Sequence, residues 1–434
     1  MPERSFRKSI VVSIRRDKHL SCNLIKGVRP RLNGRAAASA ALLVAVLGFI
    51  AGCAPSREFL LKRSTELGED KNYVRVLLLE TTERVSLSSS SRIKISALAD
   101  RKVHHDGRGG RIYFYPEKMR QPVIVESWNS PLFVNGVPYR GSIELHTRMG
   151  RLLVVNVVTM DEYLSGVVPC EISSGWNVEA LRAQAVAARS YAYYHIMNGT
   201  DPLYDLNATN RSQIYRGSGV ETERTNAAVR DTSGQVVAYN NRPILAFFHS
   251  TCGGATVDND KVWSGQPLEY LRGVRCQYCS ASPHYSWEDT LTLYEIRQHL
   301  GKKYVGVGPI TGISFKKDGG RVNQLMIEHK NGIVRLSGND FRLLFPEKKI
   351  KSLSFDAIKT RDGLLLKGRG WGHGVGLCQW GAKGMAERRA TYDQILGHYY
   401  RGTRLMVITG KTRGDGAGKT AGDRRRPFYD ARVK

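Results

Sequence analysis

Cysteine is scarce in this chain, 7 of 434 residues, and acids are outnumbered, with 39 Asp and Glu against 66 Lys and Arg. Cys22 and Cys53 fall in the N-terminal segment, leaving Cys170, Cys252, Cys276, Cys279 and Cys378. An odd number argues against a simple disulfide framework and leaves room for a metal site. No internal repeat is present, which excludes a solenoid or a propeller. Long apolar runs are lacking too: the mostly apolar stretch Ala36 to Gly52 holds 17 residues, the low edge of a membrane span. No βαβ unit with a ribose-binding acid follows Gly368 and Gly370, so these glycines do not read as a dinucleotide loop.

What is present is a chain that is 41% hydrophobic, enough for a sizeable core and two or three domains. Its start is a targeting segment. Ten basic residues and two acids up to Arg35 precede the apolar run, which ends in Ile50-Ala51-Gly52-Cys53. That order is a basic n-region, an h-region and a cleavage site. The last four residues resemble a bacterial lipobox, in which the cysteine is lipidated and becomes the new N-terminus; an uncleaved signal anchor would leave Cys53 unexplained. The formal charge is +27, and cleavage before Cys53 leaves +19. So basic a surface favours an anionic polymer. An exported protein meets the acidic groups of a cell wall rather than nucleic acid. Ala54 after Cys53 favours the outer membrane as destination in a Gram-negative cell.

The predicted fold is α+β, with mostly antiparallel β regions around an alanine-rich central helix, a Cys/His segment and a Gly-rich C-terminal loop. Residues 1–53 read as the signal peptide, 54–72 as a tether, 73–408 as the folded domain and 409–434 as a basic disordered tail. Within the domain, 73–160 is a β region, punctuated by Asn-Gly and Arg-Gly turns. Residues 161–232 carry a loop and the helix, and 233–408 are β-rich. Leu181, Ala185, Ala188 and Ala192 recur on one face of a helix capped by Asn177 and stopped at Asn198-Gly199. A second β segment is expected at Ile244 to Phe248 and a last helix at about Thr391 to Tyr400.

Three constellations carry chemistry. In Val168-Pro169-Cys170-Glu171, the glutamate follows a Pro-containing turn and precedes the helix, so it is expected on a loop held by rigid elements. Gly370 to Ala382 places His373 between glycines, where the backbone can approach a ligand closely or the imidazole can hold a tight turn. Cys252, the pair Cys276-Gln277-Tyr278-Cys279 and His284 provide tetrahedral zinc ligands for a closed, structural site, with His249 in reserve. The competing reading is a Cys276 to Cys279 disulfide.

The run Tyr163-Leu164-Ser165-Gly166-Val167-Val168-Pro169-Cys170-Glu171, then Glu179 to Tyr191, resembles the stage II sporulation protein D family, which includes the LytB amidase enhancers. Ser212-Gln213-Ile214-Tyr215-Arg216-Gly217 and Gly370-Trp371-Gly372-His373 to Ala382, followed by His398 to Thr403, agree with it in the same order. The resemblance covers about Tyr73 to Thr403. It implies a lytic transglycosylase that cleaves peptidoglycan between N-acetylmuramic acid and N-acetylglucosamine, or an amidase enhancer that holds glycan without cutting it. It also implies Glu171 as catalyst and Arg182, Gln184, Arg189, Gln213, Tyr215, His373 and Gln379 as substrate-site residues, Arg182 standing where Lys is common. Ordinary glycosidases need two carboxylates. Here the muramic 6-hydroxyl is the nucleophile, so one glutamate with a pKa raised by partial burial beside groups such as Trp176 suffices. The implied partners are glycan strands and a cell-wall amidase.

Overall fold

The structure is a computed structural model that describes residues 73–408 apart from 210–211, 264 and 346–348, together with the backbone of 431–432. The signal segment with Cys53, the tether and the rest of the basic tail lie outside the described residues. Helices and several antiparallel sheets make an α+β fold. The helices are α1 (Met160–Glu171), α2 (Val178–Asn198), α3 (Glu223–Asp231), α4 (Leu293–Gly301), α5 (Gly338–Leu343), α6 (Gln379–Glu387) and α7 (Tyr392–Tyr399). None among the described residues is long and apolar enough to cross a membrane.

The largest sheet runs in the order Leu206–Asn207, Tyr73–Thr81, Arg151–Thr159, Ser142–Arg148, Val123–Ser127, Ile93–Ala97, Val103–Gly107. All its neighbours are antiparallel except the first pair. Met149 and Gly150, both at positive φ, close the hairpin between its two middle strands, the geometry of a two-residue turn whose twist matches the strands. In Arg151–Thr159 every residue from Leu152 to Val158 is buried. A strand buried without a break in this way, apolar but for Asn156, is covered on both faces. Val154 and Val158 join the main core, and Leu153 and Val155 pack with Leu77 on the other side.

α1 follows this strand directly, capped by Thr159, whose side chain accepts from the Glu162 amide while Glu162 reaches back to the Thr159 amide. The expected loop at Glu171 is corrected here: the helix continues through Pro169 and ends on Glu171 itself. Pro169 sits in the last turn, where it removes only the bond to the Ser165 carbonyl. Fully buried Val167 and Val168 hold the helical backbone that proline disfavours in the residue before it. The strand expected at Ile244 to Phe248 is likewise reduced to Phe248–His249, because the Ala246 and Phe247 amides bond locally to the Ile244 and Leu245 carbonyls.

Asn177 caps α2 by accepting from the Glu179 amide. Leu181, Ala185, Ala188 and Ala192 face the main core, while Ala180, Ala183, Val186 and Ala187 face a second core with Val237, Leu377 and Tyr399. A third core fills the β-rich stretch from Trp287 to Leu366. Arg189 of α2 is fully buried: Nη1 donates to the Thr232 carbonyl at 2.7 Å, and Nη2 to the Val229 carbonyl and to Asp161 Oδ1, each at 3.0 Å. It closes the carbonyl end of α3 with a cation and ties it to the start of α1. Arg189→Ala would leave these acceptors facing a void and is expected to cost about 3 kcal/mol in urea unfolding. An unchanged midpoint would rule out this bracing role.

Candidate functional site

Glu171 is half-buried at the carbonyl end of α1. Its Oε1 accepts from the Ile214 amide at 3.1 Å, and the Gln379 side chain favours the charged carboxylate. Burial raises its pKa above the ordinary glutamate value and outweighs these two groups, which favour the charged form. The negative end of the helix dipole pushes the same way as burial. Trp176, five residues after Glu171, meets Trp380, the residue after Gln379, edge to face with ring centres 5.2 Å apart. The group can therefore hold a proton at a higher pH than a solvated carboxylate.

The residues expected to line the substrate site are mostly placed inside the protein. Gln213 accepts from the Tyr163 hydroxyl at 3.0 Å and donates to the Ala188 carbonyl; Tyr215 donates to Asn156 Oδ1 at 2.8 Å. These two inward anchors flank Ile214 and aim its N–H at Glu171. Arg182 pairs with Glu179 and with Asp231, both at 2.6 Å, and Glu179 also accepts from the Tyr392 amide, so Arg182 joins α2, α3 and the start of α7. Arg189 is the brace already described. Gln184 is 1% exposed, and its Oε1 accepts from Gln379 Nε2 at 3.3 Å.

His373 has both ring nitrogens engaged by backbone groups, one on the strand Phe248–His249 and one on its own loop. Nε2 donates to the Phe248 carbonyl at 2.9 Å and Nδ1 accepts from the Val375 amide at 3.1 Å, an assignment the network requires. Burial holds its pKa well below the usual histidine value, so the ring is neutral. Gly370, Gly372, Gly374 and Gly376 all take positive φ around it. A turn-holding histidine is what the geometry gives. Gln379 alone of the expected set affects the Glu171 carboxylate, by favouring its charged form. The Ile214 amide was invisible to a reading of side chains.

The cysteines form a separate constellation. The Sγ atoms of Cys252, Cys276, Cys279 and Cys378 all lie within 4.8 Å of one another, buried, and all four are free thiols. Cys252 and Cys279 are 3.5 Å apart at sulfur, far beyond a disulfide and close to the roughly 3.8 Å edge of a metal–tetrathiolate tetrahedron. The Cys378 sulfur accepts from the amides of Cys252 and Gly381, each at 3.3 Å. Hydrogen bonding to Cys252 pushes the Cys276 and Cys279 thiols down, while burial first, then the neighbouring sulfurs, pushes Cys378 up. Four thiolates cannot share a buried site without a cation, and this donor set fits a soft or borderline one.

The fourth ligand expected from sequence is corrected. His284 packs its ring edge-on against Trp371 at 4.1 Å, outside the sulfur group, because its carbonyl is tied to the Gly370 amide where the chain enters the next strand. Reserve ligand His249 bonds the Val375 carbonyl through Nδ1 and is not in the group. The position falls to Cys378, distant in sequence and brought in by the pairing of His249 with Cys378 in a short parallel sheet.

Comparison with known proteins agrees with the order of the sequence blocks. A family profile described as Stage II sporulation protein matches residues 148–239, and a domain of unknown function matches 273–376. The Stage II sporulation protein D of Bacillus subtilis is 32% identical over 58% of this chain and 75% of its own length. An uncharacterized protein of Brachyspira hyodysenteriae is 34% identical over 63% of this chain and 73% of its own length. The amidase enhancer of Bacillus subtilis is 27% identical over 56% of this chain and 40% of its own. With Glu171, Gln213 and the glycine loop in place in the fold, and relatives of this identity and coverage, the chain belongs to the stage II sporulation protein D family.

Proposed function

We propose that this protein is a peptidoglycan lytic transglycosylase in which Glu171 is the single acid/base. The observation that carries the reading is the partly buried carboxyl group whose pKa burial raises, held by the Ile214 amide. In the first step Glu171 gives its proton to the glycosidic oxygen as the bond from muramic C1 breaks. As carboxylate it then takes the proton of the muramic 6-hydroxyl, whose oxygen closes on C1 as the 1,6-anhydro ring. The glutamate ends protonated, ready for another bond.

A second reading, a non-catalytic amidase enhancer that holds glycan, is favoured by the relative of that name. The two part on product chemistry, since only the transglycosylase leaves anhydro ends. Glu171→Gln keeps an acceptor for the Ile214 amide but has no proton to give. It should lower anhydro-muropeptide release, read by mass spectrometry, by at least 10²-fold while melting no earlier than the parent. Anhydro ends made equally by the variant would exclude Glu171. No anhydro ends from the parent, with stimulation of an added amidase, would favour the enhancer. The acid form is the active one at the first step, so cleavage should be present below the raised Glu171 pKa and fall as pH rises through it. An activity that instead rises through that range would contradict the assigned role.

We further propose zinc at the four cysteines, as a closed structural site. Cys378→Ser should lose bound zinc by elemental analysis and lower the melting temperature, because metal binding there is folding free energy. His284→Ala should retain the metal. The reverse pattern would restore His284 as a ligand.

Export and lipidation at Cys53 complete the proposal, with glycan strands and a cell-wall amidase as partners. Two or more acyl chains anchor firmly where one does not. Cys53→Ala should therefore abolish the lipidated mature chain and leave an uncleaved or a soluble form, told apart by mass and by partition between detergent and aqueous phases. Mature protein starting at another residue would refute the lipoprotein reading.

A further inference from the structure

We infer that the β-rich stretch carries a carboxylate-binding site of its own, centred on Arg369 and separate from Glu171. The choice of cell-wall ligands rests on the proposed function, while the site itself rests on the register of three strands.

Strands Ser286–Thr292, Gly363–Arg369 and Phe355–Lys359 form one antiparallel sheet with Gly363–Arg369 in the middle. Trp287, Gly368 and Phe355 stand side by side across it, with both aromatic rings in the third core. A Cβ on Gly368 would lie 2.3 Å from the Trp287 ring, so this face is closed. Side chains alternate along a strand, and the neighbours of these three residues therefore share the outer face. One outer row is Glu288, Lys367 and Asp356. The other is Ser286, Arg369 and Ser354, whose carbonyl accepts from the Arg369 amide at 2.8 Å. Both rows line a cavity of about 690 Å³, closed further by Lys317 and Gly320 of the neighbouring hairpin. Glu171, Ile214 and Gln379 are not among its walls.

The charges in this cavity do not cancel. Lys367 pairs with Glu288 at 2.9 Å and Lys317 pairs with Asp356, which occupies both acids. Arg369 is exposed and makes no ion pair among the described residues. The Ser286 and Ser354 hydroxyls beside it likewise have no hydrogen-bond partner among the described residues. An exposed arginine is ordinarily just solvated, but the backbone of this one is fixed on every side. Its amide is held by Ser354, its carbonyl accepts from Ser352 Oγ at 2.5 Å, and a Cβ on Gly253 would come within 2.7 Å of its own Cβ. A guanidinium launched from a fixed backbone has less freedom to lose on binding.

This chemistry selects a carboxylate. A guanidinium takes one through two parallel N–H bonds, and hydroxyls can donate to the lone pairs that remain. A phosphate dianion would bring a second negative charge beside Glu288 and Asp356, with no further cation unpaired in the cavity walls. A cell wall offers such a carboxylate as the lactyl group of a muramic acid without its peptide, or as the end of a stem peptide.

The test labels the full chain with ¹⁵N at arginine and follows the side-chain Nε–H signal of Arg369, assigned with Arg369→Lys. N-acetylmuramic acid and N-acetyl-D-alanyl-D-alanine are titrated in turn, then their methyl esters and inorganic phosphate. At least one of the acids should move the signal saturably, and which one does so identifies the source. The esters should leave it in place, and phosphate should bind more weakly than the acid. By ligand-observed NMR, Arg369→Gln should abolish binding, and Ser286→Ala combined with Ser354→Ala should weaken it roughly tenfold, each at an unchanged melting temperature.

An Arg369 signal unmoved by both acids, moved as far by their esters, or moved more readily by phosphate would overturn the inference, as would undiminished binding by Arg369→Gln. Should that variant fail to fold, the double serine variant decides, and unweakened binding there overturns the site. Binding needs no turnover, so absence of glycan cleavage by the parent would defeat the proposed reaction and leave this site to be decided on the NMR result.

Discussion

A helix that is covered on both faces has to be made of small side chains, and α2 meets that constraint with alanine. Leu181, Ala185, Ala188 and Ala192 lie on one core while Ala180, Ala183 and Ala187 lie on the other. Bulkier residues would force the two cores apart, since interiors are packed without room to give. Everything functional is hung from this helix. Arg189 ties it to the start of α1 and to α3, Gln184 meets Gln379, and the Ala188 carbonyl receives Gln213. The residues on either side of Ile214 thereby find their anchors. Placement of the carboxylate is a consequence of close packing two layers away.

Around Glu171 the forces are opposed by design of the site. Burial and the end of α1 disfavour charge, whereas the Ile214 amide and the Gln379 side chain favour it. The proposed reaction, in which this carboxyl group both gives and takes a proton, is served by such a balance: complete burial would keep it an acid only, and full solvation would keep it a base only. Placing Glu171 at the end of a helix rather than on a loop adds precision. Its backbone is fixed by fully buried Tyr163, Leu164, Val167 and Val168.

How far this could be read from the sequence differs residue by residue. The cap at Asn177 and one face of α2 were legible because local chemistry and period set them. The second face was not, since alanine gives a weak periodic signal and the covering core arrives from residues near 237 and 377–400. Proline misled at position 169, where a local rule was overridden by burial of its neighbours. Motif matching found Arg182, Gln184, Arg189, Gln213, Tyr215 and His373 as a set but could not assign their roles. Whether a residue touches a ligand or holds the residue that does depends on tertiary contacts that have no sequence spacing. Cys378 is the sharpest instance: nothing near it suggests a metal ligand, and only the pairing of Phe248–His249 with Leu377–Cys378 brings it to Cys252.

That pairing also explains how the β-rich stretch between the cysteines is accommodated. Strand Ser286–Thr292 enters it and strand Gly363–Arg369 leaves it, and the two are antiparallel neighbours with Ser286 opposite Arg369. Its ends therefore lie side by side, and the Gly370 amide bonds back to the carbonyls of His284 and Tyr285. Three of the clustered cysteines precede the stretch and one follows it, so the sulfur group closes its base. From within the stretch, Arg321 returns to donate to the His373 carbonyl, and its guanidinium fills the space beside Gly374 where any side chain would collide. The glycine loop is consequently held from three directions: by His373 on the Phe248 carbonyl, by Arg321 from the β-rich stretch, and by Cys378 at its exit. A loop with so many left-handed glycines would be mobile on its own. Fixed in this way, it delivers Gln379 to Gln184 of α2, so the position of that side chain is a property of the glycine loop, the β-rich stretch and α2 together rather than of the motif that carries it.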